Sequence, residues 1–437
     1  MKAFIRSVCS AAVVIAMACG TASAETTSLR LLHSTPGDLY ETLNQKFLAD
    51  HHNIRLNSDP AAPDYDALTR TLLLGAIAGS TPDVVFQGYN MVGLTVARSI
   101  AVPLDTFIAA DPRWTSEGYS PDALKMCTLN GKVYGLPFAT SAPIVFYNLD
   151  LIARSGHDPR VLPTDWKGVL ALAKDIKAKN PNASNVFFDY ANTGNWTFQA
   201  LLASVGGRLM TPDGGIGFNN QDGLRAINLL ANFREAGQVD MSRSQAWQSF
   251  SAGRLGILIS SSSLLSQFEQ QAAGSFKIGT GAFPMTAPGA LLPAGGNCAM
   301  ITTRDPARQK AAWDYIKFAS GPIGQTIVAT KSGYIPTNTK AVDDPALLGN
   351  YYASHPSFQT AVRQVPILTR FESFPGENSL KIATVINDHL SAVMLGRTTP
   401  EAALKAMTTD VQALLPEKTS KPSSSQTISS SGSGVKK

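Results

Sequence analysis

The sequence predicts an α/β protein built from two bodies, and three observations support this. Strand-like and helix-like segments alternate between residues 29 and 86, which is typical of a sheet with helices on both faces. About 390 residues remain once the two terminal segments described below are set aside, more than one hydrophobic core usually organises. The stretch of residues 130–148 is bracketed by prolines, which indicates an extended crossing between two globular bodies.

This crossing stretch begins with a turn signal. Asn130-Gly131 suits a two-residue hairpin because both residues tolerate positive φ. Pro137 and Pro143 lack an N–H donor and are therefore unsuited to the middle of a regular strand ladder. Mostly small side chains between them leave room for a ligand near the backbone, so we expect Ser141 to lie near a cleft. An ordinary edge strand with a proline kink explains the same composition equally well.

Hydrophobic spacing and turn signals predict the remaining elements. The predicted strands are residues 29–32, 54–56, 83–86, 186–188, 255–260 and 298–302, with residues 334–336 extended. The predicted helices are residues 36–49, a helix from residue 65, and residues 150–155, 166–179, 196–205, 223–236, 247–252, 311–319, 325–331, 356–364, 380–394 and 400–414. The glycine- and proline-rich residues 281–296 are predicted to be a loop, and the polar residues 417–437 a disordered tail.

The N-terminus has the pattern of a secretory signal peptide. Lys2 and Arg6 precede an apolar run over residues 8–18, and small residues end at Ala24, where we expect cleavage. Residues 1–24 are therefore predicted to be a signal peptide. Cys19 leaves lipidation open as an alternative. No later stretch approaches the roughly 20 continuous apolar residues that a membrane-spanning helix needs.

Charge and cysteine content narrow the function classes. The chain has 37 Lys and Arg against 32 Asp and Glu, so removing Lys2 and Arg6 leaves 35 − 32 = +3 for the mature protein. This weak, unclustered positive charge argues against a nucleic-acid partner. The mature chain keeps two cysteines, Cys127 and Cys298, which are compatible with one disulfide or with two buried thiols.

The sequence contains no recognisable catalytic constellation. None of the six histidines has the spacing of a zinc motif, and phosphate-loop, dinucleotide and nucleophile-elbow motifs are missing. We therefore expect no metal and no cofactor. The serine run at residues 260–263 has no nearby base, but its hydroxyls and N–H groups could hold a hydroxylated ligand. The rival interpretation is a secreted carbohydrate-active enzyme with paired carboxylates, which would have to face each other about 5–10 Å apart.

Aromatic residues stand beside small polar residues at loop and helix-start positions. Tyr65 lies between two aspartates, and Asn90 follows the predicted strand 83–86 at its carboxyl end, where α/β sheets place ligands. Trp196 opens a predicted helix, and Tyr334 follows a glycine. A packing role explains any one of them, but together they indicate a cleft in which rings stack on a sugar or polyol.

Several motifs resemble those of the periplasmic solute-binding proteins of ABC importers, extracellular family 1, the group with maltodextrin-binding and glycerol-3-phosphate-binding members. They appear in the order of the family over nearly the whole mature chain. The matching segments are GKVYGLP at residues 131–137, FYNLDL at 146–151, PTDW at 163–166, FSAGR at 250–254, AAWDYIKF at 311–318 and GYIP at 333–336.

The resemblance implies a two-lobed, type II periplasmic-binding-protein fold whose lobes are joined by crossing hinge strands. It implies an N-terminal lobe of residues 25–138 plus 295–335 and a C-terminal lobe of residues 139–294 plus 336–416. The ligand is expected between the lobes, which would close by a hinge motion. The crossings are expected near residues 138–141, 293–296 and 334–336.

The resemblance to the glycerol-3-phosphate binders also implies ligand-binding residues. These are Tyr65, Asn90, Ser141, Trp196, Ser261, Ser262, Gly296, Tyr334 and, as the nearest candidate for a phosphate-binding arginine, Arg370. Two positions depart from that pattern. Asn90 stands where those binders have a glutamate, and residues 372–376 lack the expected arginine. A phosphate without a guanidinium would depend on N–H donors alone, so a neutral sugar or polyol remains open.

The expectation is therefore a periplasmic solute-binding receptor of an ABC importer. It would capture a small hydroxylated solute and deliver it to the permease subunits in the membrane. It would act as a monomer and catalyse no reaction. A receptor that serves a sensor protein would have the same sequence features.

Overall fold

The computed structural model describes residues 26–34 and 37–416. The predicted signal peptide, Cys19 and the predicted tail at residues 417–437 lie outside the described residues. Within the described part of the chain, no helix is both long and apolar enough to span a membrane.

The first sheet has five strands in the order β2-β1-β3-β12-β6. Strands β1, β2 and β3 pair in parallel, whereas β12 runs antiparallel to both of its neighbours. The strands are β1 (Thr27–Leu32), β2 (Ile54–Ser58), β3 (Val84–Gly88), β6 (Leu136–Ser141) and β12 (Gly295–Ile301). We call the body built on this sheet the N-terminal lobe.

The second sheet has four strands in the order β10-β7-β9-β8. Strand β7 is antiparallel to both neighbours, and β8 is parallel to β9. The strands are β7 (Pro143–Asn148), β8 (Ser184–Phe188), β9 (Leu255–Ser261) and β10 (Ile278–Ala282). We call this body the C-terminal lobe. Two small ribbons complete the strands, β4 (Thr128–Leu129) with β5 (Lys132–Val133) and β11 (Leu292–Pro293) with β13 (Leu368–Thr369).

Helices cover both sheets, as the alternating pattern predicts. In the first half of the chain they are α1 (Gly37–Leu48), α2 (Tyr65–Ile77), α3 (Val92–Ala97), α4 (Asp105–Ala110), α5 (Pro121–Leu124), α6 (Leu149–Arg154), α7 (Trp166–Lys179) and α8 (Trp196–Ser204). In the second half they are α9 (Gln221–Glu235), α10 (Arg243–Ser251), α11 (Leu265–Ala272), α12 (Pro306–Ser320), α13 (Pro322–Lys331), α14 (Thr339–Asp343), α15 (Tyr351–Ser354), α16 (Gln359–Val362), α17 (Ser379–Met394) and α18 (Pro400–Gln412).

The proline-bracketed stretch passes from one sheet to the other. Its opening hairpin is confirmed, because Asn130 and Gly131 have φ of +51° and +76° between the paired strands β4 and β5. Pro137 lies in β6, an edge strand whose register with β12 shifts beside it, and Pro143 is the first residue of β7. Both are positions where a missing N–H removes no ladder bond that the sheet depends on. The crossing is therefore built from strands, and Ser141 is the last residue before it leaves the first sheet.

The prediction of one continuous loop over residues 281–296 was wrong. Strands β10, β11 and β12 all enter this range, and Gly281 pairs with Val145 while Gly295 pairs with Ser141. Glycine and proline lower the local strand signal, but backbone pairing with distant strands decides the conformation here. Helix α11 was also missed, because the serine run at residues 260–263 just before it obscures the pattern of a helix start.

Each lobe has its own hydrophobic core. In the N-terminal lobe, Val84 and Phe86 face one cluster and Val85 faces another, so the alternation of β3 buries both faces of the sheet. One large cluster fills the C-terminal lobe, with Phe146, Phe188 and other aromatic rings at its centre. Cys127 and Cys298, whose pairing the sequence left open, form a buried disulfide that ties β12 to the segment after α5.

Candidate functional site

A cleft of about 450 Å³ lies between the two lobes, within the range typical of small-ligand sites. Six of the nine predicted binding residues line it together: Tyr65, Ser141, Trp196, Ser261, Gly296 and Tyr334. We call Asp38, Asp64, Tyr65, Gly296 and Tyr334 the N-terminal wall. We call Trp196, Arg243, Trp247, Ser261, Gln267 and Gln270 the C-terminal wall.

Two tyrosines place their hydroxyls together on the N-terminal wall. Tyr65 begins helix α2, whose N-cap Asp64 accepts a hydrogen bond from the N–H of Ala67 at 2.7 Å. The Tyr65 hydroxyl lies 3.4 Å from the Tyr334 hydroxyl and accepts a bond of 2.9 Å from the Nδ2 of Asn297. Burial raises the pKa of Tyr334 well above its usual range, so this phenol stays neutral and can donate a hydrogen bond.

Glycines at the start of β12 let the two lobes approach each other. Gly296 has a φ of +124°, and a β-carbon there would lie 1.8 Å from the carbonyl oxygen of Ala139. At Gly295 a β-carbon would lie 2.6 Å from the Oγ of Ser141 and 2.8 Å from the Cζ2 of Trp196. Only glycine permits this contact between backbone, serine and indole.

Trp196 is held in place at the start of α8. The two residues before it, Gly194 and Asn195, have left-handed φ of +56° and +61°, and the Asn195 amide donates to the carbonyl of Ala383 at 2.8 Å. The indole N–H of Trp196 donates to the carbonyl of Pro293 at 2.8 Å, and the side chain is only 3% exposed. Trp196 therefore both packs between the lobes and presents part of its ring to the cleft.

The serine run ends β9 and precedes α11 through a short turn. Ser261 lines the cleft, and its hydroxyl lies 2.8 Å from that of Ser263, which also lines it. Ser262 is buried and accepts a hydrogen bond of 3.3 Å from the N–H of Ala142. The structure thus brings Ser261 into the cleft but places Ser262 behind its wall.

Asn90 and Arg370 do not line this cleft. Both line a neighbouring pocket of about 510 Å³, and Phe371 lines both cavities. The side-chain amide of Asn90 is buried without a hydrogen-bond partner, and a β-carbon on Gly194 would lie 2.3 Å from its Nδ2. Asn90 thus packs against the backbone of the opposite lobe.

The lobes contact each other directly beside the cleft. Gly194 donates its N–H to the Oδ2 of Asp66 at 3.2 Å, and the Ser373 hydroxyl donates to the carbonyl of Asn90 at 2.7 Å. Arg98 and Glu377 form an ion pair of 2.8 Å. Burial raises the pKa of Asp66, although its contacts with Thr193 and Gly194 act in the opposite direction. These contacts hold the two walls facing each other.

Much of the C-terminal wall was not predicted from the sequence. Arg243, Trp247, Gln267 and Gln270 all line the cleft. Arg243 is the first residue of α10, which begins four residues before the predicted helix. A signal was available: Ser242 and Gln245 form a capping box that marks this helix start. The partner of Arg243, however, is 54 residues away, at Asp189.

The side chains at the cleft do not resemble a metal centre. Across residues 26–34 and 37–416, no three His, Cys, Asp or Glu residues are grouped so that they could hold a metal ion. The carboxylates of the cleft lining, Asp38 and Asp64, both belong to the N-terminal wall. Hydroxyl, amide and aromatic groups make up most of the remaining lining, a set that binds hydroxylated ligands by hydrogen bonds and ring stacking.

Comparisons with known proteins agree with this architecture. A profile for a family described as "Bacterial extracellular solute-binding protein" matches residues 42–360. The sn-glycerol-3-phosphate-binding periplasmic protein UgpB of Escherichia coli K12 is 24% identical over 416 residues, which cover 88% of this chain and 91% of that protein. A putative binding protein of Brucella abortus is 25% identical over 391 residues, covering 87% and 90% of the two chains.

Solved structures show the same fold. UgpB from Mycobacterium tuberculosis in complex with glycerophosphocholine superposes with a TM-score of 0.78 at 20% identity, covering 89% of this chain and 98% of that chain. Maltose-bound MalE3 of T. maritima superposes with a TM-score of 0.74 at 19% identity, covering 89% and 100%. The expected two-lobed fold of type II periplasmic binding proteins is therefore confirmed.

Proposed function

The chain belongs to the bacterial extracellular solute-binding proteins, and from this premise we propose that it captures a small hydroxylated solute in the cleft for an ABC importer. The observation that carries the proposal is the composition of the two walls. Rings from Tyr65, Trp196 and Tyr334 and hydroxyls from Ser141 and Ser261 converge on one cavity between the lobes. Such a cavity can stack on a sugar or polyol and orient its hydroxyls.

The direct contacts between the lobes support capture by closure. Opening the cleft would break the Gly194–Asp66 and Ser373–Asn90 hydrogen bonds and the Arg98–Glu377 ion pair. A ligand that touches both walls adds to these contacts and favours the closed form. The permease subunits of the importer are then the partner that distinguishes the closed receptor from the open one.

Binding without catalysis is favoured over the glycosidase alternative. A glycosidase needs two carboxylates on opposite sides of the scissile bond. The carboxylates lining this cleft, Asp38 and Asp64, are on the same wall, and the opposite wall presents Arg243 and the amides of Gln267 and Gln270. We further propose that the receptor is periplasmic after cleavage at Ala24 and acts as a monomer, which light scattering on the mature protein would test.

The experiment is a thermal-shift screen of the mature protein. The panel contains glycerol 3-phosphate, glycerophosphocholine, glycerol, maltose, maltotriose and a set of monosaccharides. A ligand present at a thousand times its dissociation constant stabilises the folded state by about 4 kcal/mol, which displaces the midpoint by several degrees.

Calorimetry on each ligand that gives a shift, with product analysis after incubation, separates the two functions. Stoichiometric binding with the ligand recovered intact is the expected result. Turnover of a glycoside, or no shift with any member of the panel, would contradict the proposal.

A further inference from the structure

Arg243 is fixed on the C-terminal wall by three different contacts. Its Nε donates to the Oδ2 of Asp189 at 3.1 Å, and its Nη2 donates to the Oδ1 of Asn192. Its guanidinium carbon lies 4.9 Å from the ring centroid of Trp247, one helical turn further along α10. A guanidinium held at one edge and over one ring is preorganised, so binding a ligand costs little side-chain entropy.

The carboxylate that holds Arg243 is itself held from behind. The Asp189 side chain is only 1% exposed, and its Oδ2 accepts a hydrogen bond of 2.9 Å from the Ser260 hydroxyl. Ser260 is in β9, so the core of the C-terminal lobe fixes the position of Asp189. The buried carboxylate of Asp189 is thus paired with the guanidinium of Arg243, which lines the cleft, and this pairing fixes the orientation of the guanidinium.

The same pairing removes most of the net positive charge that an anionic ligand would need. Among the described residues lining the cleft, the side chains charged at neutral pH are Asp38, Asp64, Arg243 and Lys331. These balance, and Asp189 lies directly behind Arg243 at hydrogen-bond distance. A phosphate dianion in this cleft would therefore meet a guanidinium already paired with a carboxylate, and Lys331 as the one further cation against the carboxylates of Asp38 and Asp64.

We propose that Arg243, oriented by Asp189, is the specificity-determining donor of the C-terminal wall and makes the cleft select a neutral polyhydroxylated ligand over a phosphate ester. This inference rests on the proposed binding function. The guanidinium offers directed N–H donors to ligand hydroxyls, and the carboxylates of the N-terminal wall accept hydrogen bonds from them. The phosphate group of an ester offers acceptors only, so it cannot use those carboxylates, and only the remaining hydroxyls of the ester can donate to them.

The test measures dissociation constants by calorimetry for maltose, maltotriose, glycerol 3-phosphate and glycerophosphocholine. It compares the wild-type protein with Arg243→Met, Arg243→Lys and Asp189→Asn. Arg160→Met is the matched control, because Arg160 forms an exposed ion pair with Asp158 on the same lobe. Unfolding midpoints without ligand report on the fold, and Arg243→Lys keeps a cation if the Met variant does not fold.

We expect a saccharide to bind the wild type at least tenfold more tightly than either phosphate ester. Arg243→Met and Arg243→Lys should weaken that saccharide at least tenfold, while Arg160→Met changes nothing. Asp189→Asn should strengthen glycerol 3-phosphate about fivefold relative to the saccharide, because it leaves the guanidinium charge uncompensated. A purely structural role for Asp189 would change both ligands equally.

An equal change of both ligands in Asp189→Asn would overturn the role of Asp189, and three further outcomes would overturn the inference. Tighter wild-type binding of a phosphate ester than of either saccharide would overturn the ligand class while leaving the receptor function intact. An unchanged saccharide affinity in both Arg243 variants would remove Arg243 from the site, again with the receptor function intact. Failure of every ligand in this set and in the wider thermal-shift panel would remove the proposed function together with the inference.

Discussion

The two walls of the cleft position their ligand-facing groups in different ways. The N-terminal wall depends on backbone geometry, because the close approach at β12 requires glycine at positions 295 and 296. The C-terminal wall depends on side chains that begin or line helices, such as Trp196 and Arg243, each oriented by hydrogen bonds to distant partners. Changes to the glycines of the first wall should therefore act through the backbone, whereas changes to the second wall should act through the loss of side-chain contacts, with a cost in stability where the side chain is buried, as at Trp196.

The largest effect is expected for Gly296→Ala. The substitution forces a side chain onto a φ of +124° and places a β-carbon 1.8 Å from the Ala139 carbonyl oxygen. Backbone strain and overpacking each cost about 1–3 kcal/mol, so we expect the free energy of unfolding to fall by about 3 kcal/mol or more. Urea denaturation measures the loss.

Gly93→Ala is the matched control for that substitution. Gly93 lies within α3, has no positive φ, and a β-carbon there would meet no atom within 4 Å. Alanine is favoured over glycine inside a helix, so this variant should be as stable as the wild type or slightly more stable. A similar loss of stability in both variants would contradict the claim that the N-terminal wall requires glycine at position 296.

Trp196→Ala should weaken ligand binding at least tenfold. The ring lines the cleft and is 97% buried between the lobes, so its removal takes away stacking surface and leaves a cavity. The cavity is expected to lower the free energy of unfolding by about 3–5 kcal/mol. Calorimetry with the best ligand of the screen, at a temperature where the variant remains folded, measures the binding change.

Trp196→Phe separates packing from binding. It keeps an aromatic face but removes the N–H that donates to the carbonyl of Pro293. Compared with Trp196→Ala, we expect Trp196→Phe to recover most of the ligand affinity and to lower the free energy of unfolding by less. If the alanine variant binds as tightly as the wild type, Trp196 serves packing alone.

The fold could be predicted from the sequence more completely than the site. Local patterns were sufficient for β3, for the hairpin at Asn130-Gly131 and for helix α7, whose observed bounds Trp166–Lys179 match the prediction. Strand β10 was missed because its sequence, IGTGA, has little local strand signal and is stabilised by pairing with β7.

The two walls also differ in how far they could be located from the sequence. The N-terminal wall could be located because Tyr65 and Tyr334 follow recognisable turn and helix-start patterns. The Arg243–Asp189 pair joins residues 54 positions apart through a contact that only the folded C-terminal lobe creates. Asn90 and Arg370 line the neighbouring pocket instead of the cleft, so a role for them in ligand binding stays a prediction.

Tyr334→Phe should weaken binding by about 1 kcal/mol, or roughly fivefold, because it removes one hydroxyl from the N-terminal wall. The lost group pairs with the Tyr65 hydroxyl at 3.4 Å. Tyr315→Phe is the matched control, since that buried hydroxyl donates to the Oδ1 of Asn44 at 2.6 Å, in the N-terminal lobe and outside the cleft lining. The control should lose stability but not affinity, and equal affinity losses would show that both changes act through the fold.

A separate effect, on stability alone, is expected in the alkaline pH range. Burial raises the pKa of Tyr334, and likewise those of Tyr40, Tyr89 and Tyr315 in the N-terminal lobe. The folded state therefore keeps these protons longer than the unfolded chain, whose tyrosines titrate near pH 10. Their contribution is fully present below about pH 10 and is lost as the pH rises toward the folded-state pKa values, by up to about 1.4 kcal/mol per pH unit for each tyrosine. Urea midpoints between pH 9 and pH 11 should fall less steeply for Tyr334→Phe than for the wild type, and identical slopes would contradict the assignment of a raised pKa to this hydroxyl.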